Sequence, residues 1–391
     1  VRIAIEAPAL HVESGYGIQA RHLARAARDD GHQVAILAIS GITYGVLNIG
    51  GIPHYGGGRL KYNLDVLEKH VEHFAADVLI TLCDLAHQDS GIVRRLRNRG
   101  IQVLHWVPVD CEPLSVIDAA FLKHGGGHPV AMSRFGQRMM HEAGIESSYA
   151  PHSVDTGTYA PLPASARDQM RQEQGTAGKF VVANVAANTD LARKGFFEMY
   201  KAFAAFHGKH PDSLIWLHSP LEGQFDHAST IIRLGLQDAV RPTEDYLINT
   251  GRLDSGYMSA WYNAADVYLC PSWAEGFGVP LIESQACGLP VIGTDCSAVT
   301  ELVRPGTGWR VPGEAKENPL HKSEWRAPWI SGITQALAKA HLAWQRGGSA
   351  WASRQRGARQ FAAGYDAAVV YDAYWRPLLA RLEAGDFKEA A

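Results

Sequence analysis

Cysteine is scarce in this sequence of 391 residues. There are five, an odd number, and no Cys-x-x-Cys pair. That argues against a disulfide framework and against a cysteine-based zinc site. Cys83 and Cys270 lie in apolar runs, where a thiol behaves as a small hydrophobe, so the set points to a reducing compartment. No apolar stretch approaches the roughly 20 residues that span a bilayer. Charge of one sign is lacking as well. The formal net value of -3 excludes a generally basic coat for nucleic acid or membrane, while leaving room for a local patch. Low-complexity tracts and short-period repeats are absent. None of the 18 histidines forms a His-x3-His pair on a predicted helix, so no histidine metal site is expected. The opening run Val1-Arg2-Ile3-Ala4-Ile5 reads as a strand and not as a signal peptide, which together with the thiols predicts a cytoplasmic protein.

What the sequence does contain is an alternation of short apolar runs and amphipathic segments. Hydrophobic residues make up 46% and charged residues 20%, the balance of a globular protein, and the length suits two domains at about 150 residues each. Arg2–Ala7, 33–39, 77–83 and 102–109 read as strands, with helices over 18–30, 60–74 and 88–99 between them. The rhythm pauses between Pro151 and Lys179, a segment with three prolines, then restarts: strands over 180–187, 214–218, 266–270, 290–294 and 309–311, and a helix over 195–208. Such alternation predicts an α/β fold of two Rossmann-like domains, each a mostly parallel sheet covered on both faces. The expected division is 1–155, a linker 156–178, a second domain 179–363, and a C-terminal helix in 364–391 that could pack back on the first domain.

In open α/β sheets a ligand sits beyond the carboxyl ends of the strands, so the segments that follow strands carry the functional candidates. After the first strand, Ser14-Gly15-Tyr16-Gly17-Ile18 runs into a helix; Gly15 and Gly17 suit either a phosphate-binding turn or a plain one. A denser signal is Pro271-Ser272-Trp273-Ala274-Glu275-Gly276-Phe277-Gly278-Val279-Pro280-Leu281-Ile282-Glu283. It follows the buried-looking run Val267–Cys270 and opens a helix. Two glutamates seven residues apart can each accept hydrogen bonds from vicinal hydroxyls of one ligand. The amides of Phe277, Gly278 and Val279 at the helix start suit a phosphate or a polar sugar rim.

This segment resembles the Glu-x7-Glu motif of the retaining nucleotide-sugar glycosyltransferases of the two-Rossmann-domain (GT-B) type, in particular glycosyltransferase family 4. Ser133-Arg134-Phe135-Gly136, Pro151-His152-Ser153-Val154-Asp155-Thr156, Arg193-Lys194-Gly195, Gly288–Thr294 and Glu301-Leu302-Val303 are similar to further motifs of that family, in the same chain order. The resemblance implies two parallel sheets facing across a cleft, with the donor mainly in the C-terminal domain and the acceptor mainly in the N-terminal one. It implies transfer of a hexose-type sugar, with retention, from a UDP- or GDP-linked donor to an acceptor hydroxyl. Glu283 would hold the ribose hydroxyls. Glu275, with Gly276 and the 277–279 amides, would hold the sugar. Lys194 would neutralise the diphosphate, with Arg193 either assisting it or serving as a solvated helix-start residue, and Gly15 and Gly17 would face the donor phosphates.

Some positions depart from the family pattern. Where a second basic residue usually precedes the motif lysine, this chain has Asn188, able to donate hydrogen bonds but uncharged. The interdomain glycine is Ser153. The histidine expected at the end of an N-domain strand has no clear counterpart, since His105 lies in mid-strand, where a core role is favoured. Asp84 and Asp110, each just past a strand, are better placed to meet sugar or acceptor; Asp110 is a candidate general base or hydroxyl anchor. The glycine- and aromatic-rich segment 42–60, with Tyr44 and Tyr55, is either an acceptor-covering loop or a hairpin without special role. No Asp-x-Asp motif occurs, so a metal-independent enzyme without a cofactor is expected. A non-catalytic sugar-nucleotide or glycan-binding module and a sugar-nucleotide epimerase are the alternatives. The sequence specifies neither the acceptor nor the oligomeric state.

Overall fold

The computed structural model describes residues 1–385. The chain divides into two compact units, Val1–Ser153 with Asn318–Ser323 and Ala367 onward, and Val154–Glu317 with Glu324–Asp366.

The first unit is built on eight strands: β1 (Arg2–Ala7), β2 (Gln33–Ala38), β3 (Val46–Ile49), β4 (Ile52–Tyr55), β5 (Val78–Thr81), β6 (Gln102–Val107), β7 (His128–Ala131) and β8 (Ser148–Tyr149). Their order is β3-β4-β2-β1-β5-β6-β7-β8, parallel throughout except for the β3–β4 hairpin. The central strands are buried on both faces, as their unbroken apolar runs require. The order reverses between β1 and β5, where the segments after both strands meet. One face packs Leu67, Val71, Phe74, Ile92 and Leu96 against Ala4, Leu37 and Leu79. The first helix, Gly15–Asp29, turns Ala20, Leu23, Ala24 and Ala27 inward and is capped by Ser14, whose hydroxyl accepts from the Gly17 amide.

The second unit holds β9 (Phe180–Val185), β10 (Ser213–His218), β11 (Val240–Pro242), β12 (Val267–Cys270), β13 (Val291–Thr294) and β14 (Gly308–Val311), all parallel, in the order β11-β10-β9-β12-β13-β14. Its strand order reverses between β9 and β12. Phe196, Met199, Phe203 and Phe206 of the helix Phe196–His207 pack with Ile333, Leu337 and Ala340 of the helix Ile330–Arg346 over Phe180, Val182 and Ile215. A separate two-stranded sheet joins β15 (Gly313–Asn318) to β16 (Ser323–Pro328).

One expectation needs correction. The stretch 156–178 is no plain linker, because it contains the helix Ala164–Glu173. Arg167 and Arg171 of that helix grip Asp266 at 2.6 and 3.0 Å, and Arg171 also donates to the carbonyls of Ala264 and Thr176. A buried guanidinium with this many acceptors fixes the helix to the start of β12. The segment 42–60 contains a hairpin, β3–β4, as one of its two readings has it, and β4 also pairs in parallel with β2 and so extends the sheet. The tail forms the expected helix, helical without a break from Ala367–Val370 through a π-type turn at Tyr371–Trp375 into Arg376–Ala384. It completes the first unit. Trp375 packs edge-on to Trp106 at 4.8 Å, Tyr371 and Arg376 both donate to Asp30, and Gln102 donates to the Leu382 carbonyl.

Candidate active site

The second unit places two loops side by side at its strand-order reversal, one after β9 and one after β12. Asp190 accepts from the amides of Ala192 and Arg193, folding the first loop into a tight turn. The Trp273 amide donates to the Arg193 carbonyl at 2.7 Å, which ties the two loops together. Gly195, at φ 64°, lies so close that any Cβ would collide with the Pro271 carbonyl. Glycine is thus dictated by close approach and by backbone conformation at once.

These ties bring Lys194 Nζ to 2.6 Å from Glu275 Oε1, with Arg193 3.8 Å from the other oxygen. The Ser272 hydroxyl donates to Glu275 at 2.6 Å, and the Glu275 amide donates to Ser297 Oγ at 2.9 Å. Burial works to raise the Glu275 pKa, but Lys194 and Arg193 outweigh it and hold the carboxyl below its ordinary value. The result is an ionised carboxylate and an ammonium held at the carboxyl ends of β9 and β12.

Beyond Glu275 the chain enters the helix Val279–Ala286 through Gly278 in the left-handed region, with Pro280 in the first turn. Phe277 and Val279 bury their side chains, Phe277 against Tyr365 at 5.7 Å, so only their backbone is left to meet a ligand. Glu283 stands one turn in, 7% exposed, and accepts from the Tyr262 hydroxyl at 3.1 Å. Tyr159 also directs its hydroxyl at Glu283, and burial, followed by that carboxylate, pushes the Tyr159 pKa well up. Tyr268 lies within the electrostatic reach of both glutamates. Lys194, Arg193, Glu275 and Glu283 therefore belong to one neighbourhood of the second unit.

Asn188 does not join them. Its carbonyl oxygen accepts from the Phe225 amide at 2.8 Å, and its amide donates to the carbonyls of Pro220 and Phe225 at 3.0 and 2.9 Å. At 5% exposure the side chain is committed to pinning 220–225, which corrects its assignment to the donor.

In the first unit Gly15 and Gly17 form the opening turn of the helix rather than a loop before it. A Cβ on Gly17 would strike the Val12 carbonyl, so that glycine serves close packing of the turn. Asp84 and Asp110, beyond β5 and β6, both act on Asp118 of the helix Val116–His124. Burial first, then these two charges, raise the Asp118 pKa to about 6 against the opposing effect of His321. Asp84 is exposed and accepts from the Tyr16 hydroxyl at 3.2 Å. Tyr44 is 85% exposed. Tyr55 is a correction: it is buried in the core with its hydroxyl on His73, and its ring packs against His70, His73 and Phe74. His105 is buried too, bonded to Thr81 and near the Gly126 carbonyl, and burial pushes its pKa down to about 4.

Sequence reasoning passed over Ser272, Ser297, Tyr159, Tyr262, Asp118 and Glu6. Ser272 stands inside the quoted motif, and its spacing of three from Glu275 was a usable signal. Glu6 hid in a strand read as apolar. It is fully buried, accepts from Gln88 at 2.9 Å, and burial raises its pKa to about 7.

Residues 222–320 match the family described as Glycosyl transferases group 1. D-inositol 3-phosphate glycosyltransferase of Arthrobacter sp. (strain FB24) is 32% identical over 170 residues, 42% of this chain and 38% of that protein. A GDP-mannose-dependent monoacylated alpha-(1-6)-phosphatidylinositol monomannoside mannosyltransferase of Corynebacterium glutamicum is 29% identical over 173 residues, 42% of each. The chain thus spans about two fifths of these curated relatives. Among solved structures, sucrose-phosphate synthase from Thermosynechococcus elongatus superposes with a TM-score of 0.76 at 18% identity, covering 98% of this chain and 99% of that one. Anabaena HepE in complex with UDP and glucose gives 0.70 at 16% identity, covering 97% and 99%. The fold is that of the GT-B glycosyltransferases. Within it, residues 222–320 are similar to the group 1 glycosyltransferases, and the likeness to family 4 that the motifs suggested has the support of these sequence relatives. No helix among the described residues is long and apolar enough to cross a membrane.

Proposed function

We propose that the chain is a retaining, metal-independent glycosyltransferase that moves a hexose from a UDP- or GDP-linked donor to an acceptor hydroxyl. The observation that carries this reading is the Lys194–Glu275 pair at 2.6 Å, fixed where the strand order of the second sheet reverses. An ammonium there can take up charge that develops on a departing diphosphate, and Arg193 adds a second cation. Glu275, kept ionised, accepts from sugar hydroxyls; Glu283, with the Tyr159 and Tyr262 hydroxyls beside it, accepts from the ribose. The donor phosphates meet the amides that open the helix Val279–Ala286, with the positive end of the helix dipole behind them. The acceptor hydroxyl attacks from the face the leaving group vacates, and the diphosphate takes its proton. Asp84, Asp110 and Asp118 of the first unit anchor acceptor hydroxyls. Curated relatives named as glycosyltransferases, one of them GDP-mannose-dependent, support the reading.

The test is a panel of UDP- and GDP-sugars, with donor hydrolysis and transfer followed by product analysis in chelator-containing buffer. Turnover with a retained anomeric configuration is expected. Lys194→Ala should lower turnover about 10²-fold or more at saturating donor, the scale of one lost electrostatic stabiliser. Glu283→Ala should chiefly weaken binding of the free nucleoside diphosphate, measured by calorimetry. Binding across the panel with no turnover would make the chain a binding module and refute the enzymatic reading.

A further inference from the structure

At the other end of the second sheet, three potential metal ligands converge from one turn and one helix. His210 lies in the turn after the helix Phe196–His207, Asp212 stands just before β10, and His341 is buried in the helix Ile330–Arg346. One ligand atom of each, two imidazole nitrogens and a carboxylate oxygen, lies within 4.8 Å of the others. We propose that His210, Asp212 and His341 form a binding site for a divalent cation of the zinc type, completed on the solvent side by water.

The geometry is close to what such an ion needs. His341 Nε2 and Asp212 Oδ2 are 3.2 Å apart. Ligands at about 2.0–2.1 Å in tetrahedral positions are separated by roughly 3.3 Å, so this pair already spans one edge. A point shared by three atoms no more than 4.8 Å apart lies within about 2.8 Å of each, and side-chain motion of under about 1 Å closes the remainder. The chain around the three residues is braced. The Asp212 carbonyl accepts from the Phe180 amide at 2.8 Å, and Ser213 Oγ donates to the His210 carbonyl at 2.6 Å. Phe180, Phe206 and Trp344 stand around the His341 ring at 5.1 to 5.6 Å, and His210 lies against it at 4.4 Å. An apolar wall on one side and two partly exposed ligands on the other leave one open direction, toward solvent. Burial, followed by the neighbouring His341, lowers the His210 pKa, which favours the neutral imidazole a metal requires.

Asp212 precedes the first residue of β10, whereas Lys194 and Glu275 follow the last residues of β9 and β12. The ion therefore takes no part in sugar transfer. It ties the helix Ile330–Arg346 to the turn before β10, and the inference stands whether or not the chain is a glycosyltransferase.

The test uses the full, untagged chain after dialysis against chelator, titrated with Zn(II) by calorimetry and with Co(II) by visible spectroscopy. One equivalent of Zn(II) per chain at micromolar affinity or better, a rise in Tm, and cobalt bands of a four- or five-coordinate ion are expected. His210→Ala and Asp212→Ala should each weaken binding by at least about tenfold and remove the rise in Tm. Both sites are partly exposed, so these variants should fold even if the buried His341→Ala does not; circular dichroism checks this. Absence of saturable binding in the unmodified chain would overturn the proposal. So would an affinity unchanged in both variants, which would place the ion on other histidines.

Discussion

The Lys194–Glu275 pair makes a strong prediction about the protein without any substrate. Its two side chains are 12% and 13% exposed, so solvent screens the attraction little and removing one partner leaves a charge with few alternatives. Truncating one member of a buried pair costs about 3–5 kcal/mol. Here Arg193 at 3.8 Å and the Ser272 hydroxyl still attend Glu275, which puts Lys194→Ala near the lower end, at about 3 kcal/mol. Glu275→Gln keeps an acceptor for Ser272 but strands the ammonium, with a similar cost. The double variant removes both charges and should lose only about 1 kcal/mol beyond either single loss of packing, leaving a coupling of about 2 kcal/mol or more. The pH dependence follows from the direction of the Glu275 shift. Its folded pKa lies below the ordinary 4.5, so its contribution is present above that value and is lost as pH falls through the folded pKa. In Lys194→Ala burial is less opposed and the folded pKa rises, so the stability gap to the unmodified chain should widen from acid to neutral pH. Urea titrations followed by tryptophan fluorescence, with Trp273 close by, give each loss. Losses that add to within about 0.5 kcal/mol, or a gap independent of pH, would refute the argument.

Other expectations are more local. Glu6 has a folded pKa of about 7 against 4.5 unfolded, so the folded state loses stability as pH rises between those values. Glu6→Gln should remove that loss, with a ceiling of about 3 kcal/mol at pH 8 and little difference at pH 4 in urea titrations. Asn188→Ala should destabilise by about 2–4 kcal/mol in the same assay, because the buried Phe225 amide loses its acceptor and two carbonyls lose a donor. Asn188→Lys, which restores the charge of the family pattern, should be no better, since a lysine cannot accept from Phe225. Gly195→Ala should separate the two loops at the Pro271 carbonyl and raise the apparent Kd for nucleoside diphosphate in a thermal-shift titration.

Much of the fold was legible because parallel strands buried on both faces leave continuous apolar runs. Arg2–Ala7, Gln33–Ala38, Phe180–Val185 and Val267–Cys270 lie where those runs place them, to within a residue or two. The helix Ala164–Glu173 was not legible, since what holds it is polar: two arginines closing on Asp266 about a hundred residues away. Tyr55 misled because glycines around it suggest a loop, while its strand pairs in parallel with β2 across the intervening β3. The site residues divide in the same way. Local spacing disclosed Lys194, Glu275 and Glu283, but not what the Asn188 amide meets or which tyrosines attend Glu283. The histidine cluster shows the limit best. No spacing rule links His210 with His341, because the helix that carries His341 meets the helix Phe196–His207 only through tertiary packing.

The return of the chain after Ala367 has a consequence for biosynthesis. Trp106 and Asp30 receive their partners from Trp375, Tyr371 and Arg376. At bacterial or eukaryotic elongation rates those residues leave the ribosome on the order of tens of seconds after Ser153 does. During that interval the nascent first unit keeps an indole and an acidic helix end uncovered, while the second unit has every residue of its sheet already in hand. Order of synthesis and order of completion are therefore opposite: the half made first is finished last, and a ribosome stalled short of Trp375 would release it unclosed.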